Sequence, residues 1–243
     1  RCLGSIEMQT FTDYEVILET EEGSLAKIRN QAAKKAKGEY LVFIDDDTIQ
    51  TETWLKSIVE AFSSRDVSGV SGPSIIPDAH RKQRDLFRWK AIKYFYDSFF
   101  CEGKQDLPGH FLRSGAWTTG ATNEDCLYNG PVDFLEACNM SFKKEVFEEV
   151  GGFDESYKGV GDWSEPDLCF RIRALGYRLW FTDKAKLYHE PSLSGAFFKR
   201  NKDSSNRLSN YYLFASRWVR PYWRHTLYKQ FLRTYYGIKS FWQ

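Results

Sequence analysis

What this 243-residue chain lacks narrows the field first. It has no apolar run of about 20 residues, so no segment reads as a membrane-spanning helix. Nothing at its amino end reads as a signal peptide. Five cysteines (Cys2, Cys101, Cys126, Cys138 and Cys169) are scattered, odd in number and without paired zinc spacing. That pattern fits reduced thiols in the cytosol better than an exported disulfide scaffold. Formal net charge is only +1, so no global field argues for nucleic acid, and none is expected as a partner. No glycine-rich, Lys/Arg-bearing phosphate loop stands near the amino end, which argues against a nucleotidyltransferase. No internal repeat is visible.

What is present begins with Tyr40-Leu41-Val42-Phe43-Ile44, an apolar and partly β-branched run that reads as a buried strand. It empties into Asp45-Asp46-Asp47. Carboxylates at the carboxyl end of a buried strand sit where open α/β sheets bind ligands. Three anions so close repel one another unless a cation is near, and a hard divalent ion shared with a ligand's phosphates would serve. The plainer alternative is a strand-to-helix turn in which Asp47 or Thr48 caps the next helix.

Around this run the pattern alternates between helix and strand. A helix end is expected over Arg1 to Gln9, a short strand over Tyr14 to Leu18, and a helix over Leu25 to Ala36 closed by Lys37-Gly38. Trp54, Leu55, Ile58, Val59 and Phe62 share one helical face, and Val67 to Ile76 reads as a strand. Residues 78–130 read as an irregular insert that mixes Arg81, Lys82, Arg84, Arg88 and Lys90 with aromatics, the kind of insert that carries a binding role. A strand is then expected over Val132 to Leu135 and a helix over Lys143 to Val150. Pro166 suits the first position of a further helix capped by Ser164 or Glu165, with Leu168, Ile172 and Leu175 buried. Glu165 and Asp167 thus stand at a helix amino terminus, where ionised carboxylates are favoured. Short strands over Tyr177 to Phe181 and Lys186 to Tyr188 lead to His189.

From Ser204 onward the chain has no Asp or Glu, but holds Arg207, Arg217, Arg220, Arg224, Lys229, Arg233 and Lys239. Twelve aromatics lie between Tyr211 and Trp242. Basic, aromatic helices of this type lie in membrane interfaces, so peripheral contact through residues 204–243 is expected, on the inner face of the membrane. The alternative is that the aromatics pack on the rest of the chain and the arginines face water.

The order of segments resembles the inverting nucleotide-sugar glycosyltransferases of family 2. The matching pieces are Leu25-Ala26-Lys27-Ile28-Arg29-Asn30, Lys37-Gly38-Glu39-Tyr40, the acidic strand end and Trp54-Leu55. They continue with Cys138-Asn139-Met140-Ser141-Phe142, Val150 to Glu155, Ser164 to Arg171, Gly176-Tyr177 and His189. The resemblance implies an α/β GT-A fold: a Rossmann-like, mixed but mostly parallel sheet flanked by helices. It divides the chain into a transferase domain over 1–198 and a helical extension over 199–243. Within the domain, about 1–77 would bind nucleotide and about 131–198 would form the acceptor side.

The resemblance also implies the chemistry. Mn²⁺ or Mg²⁺ would sit against a nucleotide-sugar diphosphate, with Asp47 and His189 as ligands and Asp45 or Asp46 toward the ribose. Arg29 would contact the nucleotide, and Glu21 is the nearest match to a base-binding aspartate. The base that deprotonates the acceptor falls on Glu165, where the family has Asp, or on Asp167, which otherwise orients the acceptor or the helix. Asp162 ranks third. A uridine diphosphate sugar is the expected donor, and a carbohydrate or lipid-linked molecule the expected acceptor. The family's usual first strand and its Pro-rich turn do not appear in this sequence, which starts in the helix that follows them. The alternative class is therefore a catalytically silent GT-A domain that binds carbohydrate or serves as a scaffold at a membrane.

Overall fold

The computed structural model of the chain describes residues 1–20, 23–77, 90–190 and 204–241. Helix α1 (Cys2–Glu7) and α2 (Leu25–Lys35) precede β1 (Tyr40–Ile44), β2 (Thr48–Gln50) and α3 (Trp54–Ser64). Then come β3 (Gly69–Ser71), β4 (Ser74–Ile75), α4 (Lys90–Phe95), a π-helical turn (Tyr96–Phe100) and a 3₁₀ turn (Gly120–Thr122). The second half holds β5 (Gly130–Val132), β6 (Asn139–Lys143), α5 (Lys144–Glu149), α6 (Ser164–Ala174), β7 (Leu179–Phe181) and β8 (Leu187–His189). Two helices close the chain, α7 (Ser204–Trp218) and α8 (Trp223–Phe241).

The large sheet runs β1-β6-β3-β7-β5 and a small one runs β2-β8-β4. Both are mixed and flanked by helices, as expected, but the ladders are not mostly parallel. In the large sheet only β3 and β7 run parallel, because β6 enters between β1 and β3 antiparallel to both. Strand β1 alternates as its sequence demands. Leu41 and Phe43 pack with Phe142, Phe147, Phe153, Leu168 and Ile172 on one face. Tyr40, Val42 and Ile44 face Trp54, Ile58 and Phe62 on the other. With both faces covered, β1 delivers Asp45 to the edge of the core.

Several expectations about elements and burial change. Val67 to Ile76 breaks at Gly72-Pro73, where a side chain at Gly72 would meet the Ala185 carbonyl oxygen at 2.1 Å. That break hands the chain from the large sheet to the small one. Val132 to Leu135 shifts to β5, because the amides of Asp133 and Phe134 turn to the Gly109 carbonyl at 2.8 and 3.1 Å. Tyr14 to Leu18 is no strand: it pairs with none of the described strands, and Val16 and Leu18 are exposed. Leu175 is also exposed, since it falls at the carboxyl cap of α6 while Leu168, Cys169 and Ile172 take the core. The basic residues Arg81, Lys82, Arg84 and Arg88 of the insert lie outside the described residues.

The described part of the insert and the two final helices share a third core. Tyr96, Phe100, Leu112 and Ala116 pack against Tyr211, Ala215, Tyr228, Leu232 and Tyr236. Phe214 is fully buried, with its ring 5.1 Å from those of Phe111 and Trp163. The tail's aromatics therefore pack largely inward, each buried ring contributing on the order of 1.5–3 kcal/mol. Phe214→Ala should lower the unfolding free energy of the whole chain by about 3–5 kcal/mol in urea. A tail that only rides on the domain would leave the main transition unmoved.

Candidate active site

The acidic run occupies the turn that carries the chain from β1 in the large sheet to β2 in the small one. Thr48 belongs to β2 and donates its hydroxyl to the Asp45 carbonyl at 2.6 Å. The next helix, α3, starts from Thr53 without a side-chain cap, so Asp47 and Thr48 do not cap it. Pairing of β2 with β8 sets Thr48 opposite His189. The Glu190 amide donates to the Asp47 carbonyl at 2.9 Å, and His189 Nε2 lies 3.1 Å from Asp47 Oδ1. One ligand atom each from Asp45, Asp47 and His189 falls within 4.8 Å of the others. Asp46, in the same turn, is exposed and is not part of this cluster. Two carboxylate oxygens and an imidazole suit Mn²⁺, and with substrate oxygens they suit Mg²⁺.

Arg29 leaves α2 on its inner side and is 8 % exposed, which rules out a solvated helix residue. Its Nη1 donates to Glu165 Oε1 at 2.7 Å, and its Nη2 to Asp45 Oδ1 and the Ala137 carbonyl, each at 3.4 Å. Burial works against its charge, but the two carboxylates more than offset this and raise its pKa above the usual arginine value. Glu21 lies outside the described residues.

Helix α6 starts two residues earlier than expected, at Ser164, and neither Ser164 nor Glu165 caps it. Its N-cap is Trp163, held at φ +79°, a conformation costing on the order of 1–3 kcal/mol outside glycine. Rings of Trp117 (4.7 Å), Tyr211 (5.0 Å) and Phe214 (5.1 Å) surround the indole and fix it there. Glu165, 7 % exposed, is thereby turned toward Arg29.

Asp167 faces the other way and is fully buried. Its Oδ1 accepts from Tyr157 (3.1 Å), Arg217 (3.1 Å) and Trp218 (2.9 Å), and its Oδ2 from Arg171 (2.8 Å). Arg171 in turn donates to the carbonyls of Val150 and Gly152. So saturated a carboxylate holds the helix; it has no free oxygen to orient an acceptor. Asp162 pairs with Arg207 at 3.3 Å. Sequence reasoning missed Tyr157, Arg171, Arg217 and Trp218, the last two because a basic, aromatic tail resembles a membrane anchor.

His189 carries a pH signature. Burial presses its pKa down, but hydrogen bonds to Asp47 and Cys138 outweigh that and lift it to about 10. In metal-free protein the pair should stabilise the fold fully below pH 6.5 and lose that contribution as pH rises through about 10. Urea midpoints should fall across that window in the wild type and stay flatter in H189Q. A metal takes the neutral imidazole, so calorimetry should find Mn²⁺ binding tighter toward the alkaline end.

Comparison with known proteins places this geometry. The chain is 28% identical over 171 residues to the O-antigen biosynthesis protein RfbC of Myxococcus xanthus, covering 69% of this chain and 12% of that one. It is 24% identical over 181 residues to the glucosyl-dolichyl phosphate glucuronosyltransferase of Haloferax volcanii, covering 70% and 49%. The chain thus spans at most about half the length of these two relatives. Among solved structures, GalNAc-T7 with UDP, GalNAc and Mn²⁺ matches at a TM-score of 0.53 and 16% identity, over 80% of this chain and 35% of that one. The mannosyltransferase PcManGT of Pyrobaculum calidifontis, in complex with GDP-Man and Mn²⁺, matches at 0.50 and 19%, over 93% and 53%. These likenesses show the GT-A fold. The model of glycosyl transferase family 2 matches residues 5–151, which carry Arg29 and the acidic strand end. With more than half of its length so matched, the chain belongs to glycosyltransferase family 2.

Proposed function

We propose that this chain is a metal-dependent inverting transferase, moving a sugar from a uridine diphosphate donor to a carbohydrate or lipid-linked acceptor. One observation carries the reading: a buried guanidinium joins Asp45, beside the Asp47–His189 pair, to Glu165. That link supports reading the two carboxylate groups as a donor site with a base beside it. Asp47 and His189, with Asp45 beside them, would hold Mn²⁺ or Mg²⁺, which supplies charge compensation for the departing nucleoside diphosphate. Asp45 or the exposed Asp46 faces the ribose. Glu165 accepts the proton of the acceptor hydroxyl as that oxygen attacks the anomeric carbon from the face opposite the leaving group.

The Mn²⁺ and nucleotide in both solved neighbours support the donor side, although one holds UDP and the other GDP-Man. The name of the Haloferax relative, with its dolichyl phosphate, supports a lipid-linked acceptor. Peripheral membrane contact through 204–243 agrees with that. Trp223 and Leu227 are exposed, and Arg220, Lys229 and Arg233 have no carboxylate partner among the described residues. No helix among those residues is long and apolar enough to cross a membrane.

Titrating UDP into the chain by calorimetry, with and without Mn²⁺, tests the donor site. Binding should require Mn²⁺ and vanish in Asp47→Ala; equal binding without metal would overturn the reading. Glu165→Gln should keep UDP binding while turnover falls by about 10²- to 10⁴-fold. A scaffold would keep partner binding in both variants and show no transfer in the wild type.

A further inference from the structure

Arg29 was expected to reach the nucleotide, yet its guanidinium is already engaged. Nη1 is given to Glu165 at 2.7 Å, and Nη2 is shared between Asp45 and the Ala137 carbonyl. Its carbon Cζ lies 5.6 Å from the centre of the Phe153 ring. Packed in this way at 8 % exposure, the side chain has little freedom to swing outward.

Glu165 needs such a partner. A nearly buried carboxylate is costly to keep charged without a cation, and no other cation pairs with it among the described residues. Glutamate also has three rotatable side-chain bonds, and among the described residues the only other side-chain hydrogen bond to its carboxylate is the weak one from Ser164 at 3.4 Å. A planar, permanently charged guanidinium holds one oxygen of Glu165 through a charge-assisted hydrogen bond and leaves the other, beside Ser164, for chemistry.

We propose that Arg29 is a positioning residue for Glu165, not a nucleotide contact: it holds the base in place and ties it through Asp45 to the donor side. The inference rests on the reading of Glu165 as base. It makes the arginine's effect on transfer run through Glu165, so the two residues should not act independently.

A double-mutant cycle on the whole chain tests this, using R29M, R29K, E165Q and the doubles R29M/E165Q and R29K/E165Q. Transfer kinetics are read beside UDP calorimetry in Mn²⁺. R29M should lower kcat by about 100-fold, the scale of a base misplaced by an ångström, and R29K should lower it less. UDP affinity should change by less than about threefold in either. Each double should be no slower than E165Q alone, which is the signature of a shared role. Should R29M fail to fold with its carboxylate uncompensated, R29K and the charge-free double R29M/E165Q still complete the comparison. UDP binding weakened about tenfold with kcat preserved would restore the nucleotide contact and overturn the proposal. Losses that multiply in the doubles would overturn it as well. Full turnover in E165Q would remove the base reading itself, and this inference with it, an outcome distinct from either of those.

Discussion

A buried carboxylate must be met by donors, and α6 carries two of them, Glu165 and Asp167, facing opposite ways. Residues two apart on a helix lie about 200° apart around its axis. Glu165 therefore reaches Arg29 on the side of the acidic strand end, while Asp167 reaches Arg171, Arg217, Trp218 and Tyr157 on the side of the final helices. Neither can turn away without leaving a charge uncompensated. The helix that carries the candidate base is thus held from both sides, and the left-handed Trp163 before it is the cost of that placement.

The candidate metal cluster depends on a different constraint, strand register. Thr48 is paired with His189, so the residue before one strand and the last residue of the other become neighbours. Asp45 and Asp47 each bring a carboxylate oxygen close to His189, while Asp46, in the turn between the strands, is exposed. Gly72-Pro73 serves the same end. By passing the chain from the large sheet to the small one, it gives β8 its second neighbour, β4, and so fixes His189.

The final helices link these parts to the rest of the fold. Their aromatics fill a core with the insert, and three of their cations are bound inward: Arg207 to Asp162, Arg217 to Asp154 and Asp167, and Arg224 to Glu102. A segment with no acid of its own thus draws its counter-ions from α6, from the loops that precede it and from the insert. Trp223 and Leu227 remain exposed, and Arg220, Lys229 and Arg233 have no carboxylate partner among the described residues. With one face these two helices thereby brace the insert and the start of α6.

The sequence by itself determined the local elements and the chemistry on offer. Periodicity marked β1, α2, α3 and α5, and the strand that ends in Asp45-Asp46-Asp47 announced an anionic strand end, because these depend on neighbours in the chain. The order of motifs determined the family. Tertiary structure alone decided partners. That Arg29 would be buried against Glu165, that Asp167 would hold a helix, and that a membrane-like tail would turn its rings inward are outcomes of long-range contact. Composition gives the same signal for an aromatic that anchors in lipid and one that packs on a domain. Only the shape of the opposing surface separates them, and that surface is assembled from residues far apart in the chain.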